Sequence, residues 1–311
     1  MAEAAKAAVP PRKRGLWREI VRNRWAYFFI SPFYILFLIF GFFPVLFSIY
    51  LSFHDWKGIG PMEFVGLDNF RRVFDFAVGG KIFWKSIGNG VILFFMYVPI
   101  MTFLAIVLAV ILNSRKVRFF QGFRTLIFAP YVTSMIAAGF AFRLLLENKG
   151  GLFNIALNSL GLPGVPWLEN VWWARVSLSL LVMWGWLGYN MVIMLAGLQT
   201  IPREMTEAAL IDGASPVQAF FRITIPLLRP VILFSVTLSI MGSFALFNEV
   251  MALTRGTGGP MRATLTTMVY IYGVAFGSSH QYGRASATAY VYFALIAVFT
   301  FLYFRFYGRE R

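Results

Sequence analysis

Six long runs without Asp, Glu, Lys or Arg dominate the pattern of polar and apolar positions along the chain. A helix needs roughly 20 predominantly apolar residues to cross a bilayer, and the runs are of about this length or longer. Because backbone polar groups inside a bilayer must be satisfied within the segment, helices are the only reasonable form for them. The pattern therefore predicts an all-α integral membrane protein with six transmembrane helices. The predicted spans are residues 25–53, 86–114, 125–142, 176–202, 230–248 and 285–304.

Composition and charge agree with this architecture. Hydrophobic residues make up 59% of the chain and the mean hydropathy is +0.70, whereas soluble domains are about 45–50% apolar. The net charge of +15 could suggest a nucleic-acid partner, but the Lys and Arg residues stand at span ends instead of forming one patch. Most lie in short loops on the N-terminal side of the membrane, so the positive-inside rule predicts that both termini are cytoplasmic. The chain has no cysteine, which excludes disulfides and thiol chemistry.

The domain organisation is simple. A basic, cytoplasmic N-terminal segment, residues 1–24, precedes the first span, and no linker divides the remaining six-span domain, residues 25–311. The end of the N-terminal segment, residues 16–24, either lies along the lipid headgroups as an amphipathic helix or belongs to a disordered basic tail.

The loop between the fourth and fifth spans, residues 200–229, is patterned like a folded element. A plain turn between hairpin helices needs only about 2–8 residues, far fewer than this loop has. Pro202 suits the first turn of a helix, and Glu207 lies near that helix's N-terminus, where a carboxylate is favourable. Gly213 supplies the left-handed conformation that ends a helix. A second short helix is expected after Ser215-Pro216. The side chains that it should bury on one side are Val217, Phe220 and Phe221.

The same loop has the spacing Glu-Ala-Ala, three residues, Gly, nine residues, Ile-x-x-Pro. It resembles the EAA loop of the permeases of binding-protein-dependent ABC importers. The resemblance implies a type I ABC importer permease fold and a cytoplasmic loop that docks into a separate ATPase subunit. An ordinary polar turn is the alternative, and it leaves the spacing unexplained. The residues assigned to this ATPase-coupling loop are Glu207, Ala208, Ala209, Asp212, Gly213, Ile223 and Pro226.

The resemblance covers nearly the whole chain from Trp25 onward. Within the family, the chain resembles the carbohydrate-uptake subgroup, which includes the maltose, lactose and glycerol-phosphate permeases. This resemblance implies a prokaryotic cell (inner) membrane protein that pairs with a second homologous permease and two ATP-binding subunits. The transported solute would be a carbohydrate, expected to be an oligosaccharide, delivered by an extracytoplasmic binding protein. The outer loop 54–85 either contacts that protein or only covers the helix bundle. Arg255 and Thr257 depart from the family's plain glycine run.

No catalytic machinery, metal or cofactor is expected in this chain. Gly79-Gly80-Lys81 is followed by Ile82 and lacks the upstream glycine of a phosphate-binding loop, so ATP should bind to the separate ATPase subunit. His54 and His280 are far apart and have no carboxylate cluster. An ion-gradient-driven secondary transporter of a small polar solute is the alternative function. That class is often built from paired repeats with ionisable residues near mid-membrane, and neither feature is evident.

The solute pathway is predicted along the fourth and fifth spans. A sugar site should be concave, with aromatic rings and a few placed polar groups. Glu249 is the most specific candidate for a pathway residue, because a carboxylate within or close to the bilayer usually faces a pathway or a partner. Its alternative position is the outer end of the fifth span, in contact with water. The predicted pathway residues are Tyr189, Asn190, Phe247, Asn248 and Glu249.

Overall fold

The structure is a computed structural model that describes residues 16–77, 80–114 and 119–307. Most of the N-terminal segment, residues 1–15, lies outside the described residues. The described part is mostly helical, with one antiparallel pair of short strands, β1 (His54–Asp55) and β2 (Glu63–Phe64). The chain divides into two compact units, one ending at Leu51 and the other beginning at Ser52.

The first unit contains α1 (Leu16–Arg22), α2 (Arg24–Phe37), a π-helical turn and most of α3 (Phe43–Ser52). Arg24–Ser52 is long and apolar enough to cross a membrane, in agreement with the predicted span 25–53. The π-helical turn, Leu38–Phe42, ends two residues before Pro44. Proline has no N–H to continue the α-helical ladder, and here the N–H of Phe43 bonds to the carbonyl of Leu38, five residues back.

The second unit contains the remaining helices, and four of its helical segments are candidate spans: Gly80–Asn113, Val171–Gln199, Pro216–Phe244 and Tyr282–Tyr303. Its helices are α4 (Asp68–Phe74), α5 (Gly80–Asn113), α6 (Phe120–Phe128), α7 (Met135–Leu145), α8 (Leu152–Ser159), α9 (Val171–Gln199), α10 (Arg203–Ile211), α11 (Pro216–Ala219), α12 (Ile225–Phe244), α13 (Asn248–Thr254), α14 (Thr267–Phe276) and α15 (Tyr282–Tyr307).

The third predicted span, residues 125–142, is not one straight helix. The chain runs through α6, a 3₁₀ turn (Ala129–Val132) and α7, with a bend of 95° between the two halves. Pro130 removes a ladder donor, and Thr133 is extended before Ser134 caps α7 by accepting from the N–H of Ala137. The six predicted crossings therefore correspond to five unbroken helices and one bent pair among the described residues.

The fifth span also departs from its predicted boundaries of 230–248. It begins at Pro216, includes a π-helical turn (Phe220–Thr224), and ends at Phe244. Asn248 does not belong to it, since it begins the short helix α13 after a break in the chain.

The core of the second unit lies where α5 packs along α9, with α7 and α13 against them. Small residues on α9 permit close approach, as at Gly188, where an added Cβ would lie 2.1 Å from the carbonyl oxygen of Ile127. The fully buried side chains at this contact include Leu93, Met101, Leu178, Leu181 and Met191.

Candidate functional site

The first helix of the loop 200–229 has defined ends. Pro202 is the N-cap residue of α10, one position earlier than the first-turn place expected for it. At the other end, the N–H of Gly213 bonds to the carbonyl of Leu210, and the N–H of Ala214 bonds to that of Ala209. This pair of bonds is a Schellman motif. Gly213 has φ +88°, so the left-handed conformation expected for it is present.

The second helix of the loop starts at Pro216, one residue earlier than expected. Ser215 forms a capping box with Gln218: the serine hydroxyl accepts from the Gln218 N–H at 3.2 Å, and the Gln218 side chain accepts from the Ser215 N–H at 2.8 Å. The helix then passes through the π-helical turn Phe220–Thr224 directly into α12. Pro226 has no N–H, and the N–H of Ile225 reaches the carbonyl of Phe220 instead.

One expectation about this loop is wrong. Val217 and Phe221 are 65% and 63% exposed, and only Phe220 is half-buried, because the second helix inserts Ala219 into the protein instead. The loop consequently presents large apolar side chains to its surroundings. These are Met205, Leu210, Ile211, Val217 and Phe221, and we call them the apolar loop surface.

The predicted coupling residues lie at one end of the helix bundle. Glu207, with Asn113 and Gln199 at the ends of α5 and α9, lines an open cleft of about 310 Å³. Burial differs among the predicted residues: Ala209 and Ile223 are half-buried, while the others are exposed, namely Glu207, Ala208, Asp212, Gly213 and Pro226. The exposed members and the apolar loop surface offer a partner both charge and apolar area.

Asn190 is the centre of a buried polar network inside the second unit. Its Oδ1 accepts from the hydroxyl of Ser235 and, at 3.5 Å, from that of Ser239. Its Nδ2 donates to the carbonyl of Trp186 at 3.0 Å. The Ser239 carbonyl accepts from Ser243, whose hydroxyl also contacts the hydroxyl of Tyr97. Hydroxyls and an amide therefore line one continuous face between α5, α9 and α12.

A small cavity of about 30 Å³ lies beside this network, with Tyr97, Trp186, Tyr189, Asn190 and Ser239 in its lining. This volume holds about two water molecules and cannot hold a sugar ring. The ring of Tyr189 stacks on that of Tyr131 with centroids 4.7 Å apart.

The remaining predicted pathway residues are dispersed. Glu249 is only 7% exposed, and its carboxylate is hydrogen-bonded by the side chain of Trp186, which places it next to the cavity and away from bulk water. Phe247 and Asn248 do not line the cavity. Phe247 packs edge-on against Tyr272, and Asn248 is exposed at the start of α13.

Sequence reasoning missed several residues of this network. Ser235, Ser239 and Ser243 recur every four residues in the fifth span, a spacing that puts them on one helix face. That periodicity could have identified the three serines. No sequence signal distinguishes Tyr97 and Tyr131 from other aromatic residues, because aromatic residues make up 18% of the chain. Among the described residues, no group of three or more His, Asp or Glu side chains could hold a metal ion.

Comparisons with known proteins agree on one family. Residues 76–310 match the family model described as binding-protein-dependent transport system inner membrane component. The lactose transport system permease protein LacF of Rhizobium radiobacter is 38% identical over 291 residues, covering 93% of this chain and 95% of that protein. The arabinooligosaccharides transport system permease protein AraP of Halalkalibacterium halodurans is 37% identical over 249 residues, 79% of this chain and 76% of that protein.

A solved structure agrees in fold. A bacterial ABC transporter involved in the import of the acidic polysaccharide alginate contains a chain with a TM-score of 0.80 and 23% sequence identity, covering 95% of this chain and 99% of that one. The predicted all-α type I importer permease fold is confirmed. This chain is a multi-pass membrane permease and belongs to the family of binding-protein-dependent transport system inner membrane components.

Proposed function

We propose that the chain is the permease subunit through which an ATP-driven importer passes a carbohydrate, in particular an oligosaccharide. The relatives that support a carbohydrate are named for lactose and arabinooligosaccharide transport. The network around Asn190 suits such a solute, because hydroxyls and amides can exchange hydrogen bonds with sugar hydroxyls. The ring of Tyr189 adds a surface on which an apolar sugar face can stack.

The observation that carries the coupling proposal is the fixed geometry of the loop 200–229. Its first helix ends in a Schellman motif and its second begins with a capping box, so the loop is a rigid body that exposes apolar side chains. Exposed apolar surface rimmed by polar residues is typical of a protein–protein contact. We assign this surface to the ATPase subunit, with Glu207 contacting a cationic group there.

We propose the remaining parts of the assembly from the family to which the chain belongs and from the positive-inside rule. The loop end of the bundle faces the cytoplasm, both termini lie on that side, and the opposite end faces outward to an extracytoplasmic binding protein. A second homologous permease completes the membrane part, and two ABC subunits bind the ATP. The chain itself is a conduit and not an enzyme.

The test is reconstitution of the complete importer into proteoliposomes, with labelled lactose and arabinooligosaccharides as probes. Uptake of at least one probe should require both the binding protein outside and ATP inside. Uptake driven by an imposed proton or sodium gradient without ATP would contradict the proposal and favour a secondary transporter. A matched preparation with Glu207→Lys in this chain should take up neither probe, although the protein still inserts and assembles with the second permease.

A further inference from the structure

A second cleft opens at the end of the bundle opposite the loop 200–229. It has a volume of about 640 Å³ and lies between the start of α5, the segment 256–262, α14 and the start of α15. Two guanidinium side chains line it, those of Arg262 and Arg284, together with neutral polar groups such as Gln281. We call it the arginine cleft. It shares no lining residue with the cavity beside Asn190.

Arg284 has a partly unsatisfied guanidinium. Its two terminal nitrogens donate to neutral groups, the Gln281 side-chain oxygen at 3.2 Å and the Tyr270 hydroxyl at 3.4 Å. Its Nε is buried and has no hydrogen-bond partner. In the part of the chain that the structure describes, neither Arg284 nor Arg262 forms an ion pair. The positive charge of Arg284 is therefore matched only by neutral partners, and because a partly buried charge is stabilised by an opposite charge, the site favours an incoming anion.

The position of Arg262 is fixed by its backbone. Arg262 and Met261 both have positive φ, +57° and +50°, a strained conformation for residues other than glycine. Side chains of α5 hold the strained segment: Lys85 donates to the carbonyl of Met261 at 2.7 Å, and Asn89 donates to the carbonyl of Arg262 at 2.8 Å. The backbone on this side of the cleft is therefore held by α5, while the side chain of Arg262 is exposed.

The two arginines of this cleft lie on the side of the membrane where the positive-inside rule does not predict an excess of Lys and Arg. In the proposed orientation the arginine cleft is extracytoplasmic, whereas the positive-inside rule concentrates Lys and Arg on the cytoplasmic side. A planar guanidinium matches a carboxylate in shape and charge, and the pair forms short, strong hydrogen bonds. No carboxylate of the described residues lines the cleft.

We propose that the arginine cleft binds a carboxylate side chain on the docking surface of the extracytoplasmic binding protein, an inference that rests on the proposed function. The cleft is open at the outer end of the bundle, as a docking site must be. It is also separate from the cavity beside Asn190, so a solute on its way to that cavity need not enter it.

The first experiment measures the affinity of the binding protein for the complete importer in nanodiscs. Arg284→Gln should weaken it roughly tenfold or more, because removing one partner of a charged pair leaves the other unpaired. The affinity of the Arg284→Gln importer for the binding protein should also depend less on salt concentration than that of the wild type. Arg143→Gln in α7 is the matched control, since it removes the same charge outside the cleft and should change neither quantity. Equal affinities for Arg284→Gln and the wild type would overturn the proposal.

The second experiment identifies the source of the carboxylate. In Arg284→Lys, a carbodiimide should join the new amine to an Asp or Glu of the binding protein, and peptide mass spectrometry identifies the pair. A cross-link to the second permease, with unchanged affinity for the binding protein, would refute the proposal, as would an Arg284→Gln defect seen only with uronate-containing oligosaccharides. If the wild-type importer shows no stimulation of ATP hydrolysis by the binding protein, the proposed function fails instead.

Discussion

Gly213 gives the most direct test of the coupling loop, because the structure separates backbone strain from steric size at this position. The residue has φ +88°, and no atom lies within 4 Å of the place where a Cβ would stand. A larger side chain therefore meets nothing inside this chain, and the effect of a substitution is conformational. A residue other than glycine in the left-handed region costs about 1–2 kcal/mol, and more when it is β-branched.

This cost is large for a local structure. It lowers the population of the Schellman end about 5- to 30-fold, and the second helix of the loop loses its fixed direction. We therefore expect Gly213→Val to abolish uptake and Gly213→Ala to weaken it, while both proteins still insert. Gly213→Asn should retain more activity than Gly213→Ala, because asparagine tolerates the left-handed conformation better.

The assay is solute-stimulated ATP hydrolysis and uptake by the reconstituted importer. Gly122→Val is the matched control. Gly122 is exposed in α6 with no atom within 4 Å of a Cβ, and its substitution should be tolerated because glycine is the poorer helix former. If activity follows side-chain size, with Ala better than Asn, the loop fails by steric conflict with the ATPase and the conformational reasoning is wrong. Wild-type coupling in Gly213→Val would refute the assignment of the loop.

Three further outcomes are expected. Glu207→Lys should abolish transport-coupled ATP hydrolysis while Glu63→Lys, an exposed reversal elsewhere, leaves it intact; equal effects would contradict docking by Glu207. The purified chain alone should show no saturable binding of labelled ATP and no hydrolysis, and binding in equilibrium dialysis would disprove this. Asn248 lies outside the cavity lining, so Asn248→Ala should reduce uptake without loss of assembly only if the pathway extends to the start of α13, where an unpaired sugar hydroxyl would cost about 1–3 kcal/mol. Glu249→Gln should alter solute preference only if the carboxylate meets the solute. Cysteines at these two positions that gain no protection from solute would place the pathway elsewhere.

The spans and the loop were predictable because their patterns are local. The length of a run without charged residues identifies a helix that crosses a bilayer. Pro202, Gly213 and Ser215 determine the conformation of only the few residues around them. The exposure of Val217 and Phe221 was not predictable in this way. Apolar periodicity predicts one covered face, but it does not say whether the cover is the same chain or another subunit.

The bend in the third span and the network of Asn190 depend on contacts between distant segments. Pro130 indicates a disturbance in a helix, but its size, 95°, depends on how α6 and α7 pack against α9. Glu249 was expected near the pathway or in water, and its contact with Trp186 joins residues far apart in sequence. Such pairings follow from the packed bundle and not from spacing.

The continuity of the fifth span gives the loop and the cavity a common mechanical element. Pro216–Phe244 runs without a break from the second loop helix to the face that carries Ser235, Ser239 and Ser243. The hydroxyls of Ser235 and Ser239 donate to Asn190, that of Ser243 donates to the backbone carbonyl of Ser239, and the cavity beside them holds about two waters. A closed pathway whose polar groups satisfy each other is stable without solute. Because a helix transmits displacement along its axis, a movement of the loop by its ATPase partner would shift these hydroxyls relative to Asn190. We therefore expect opening of the pathway and exposure of its hydrogen-bonding groups to be the same event, driven through the loop that we propose as the contact with the ATPase.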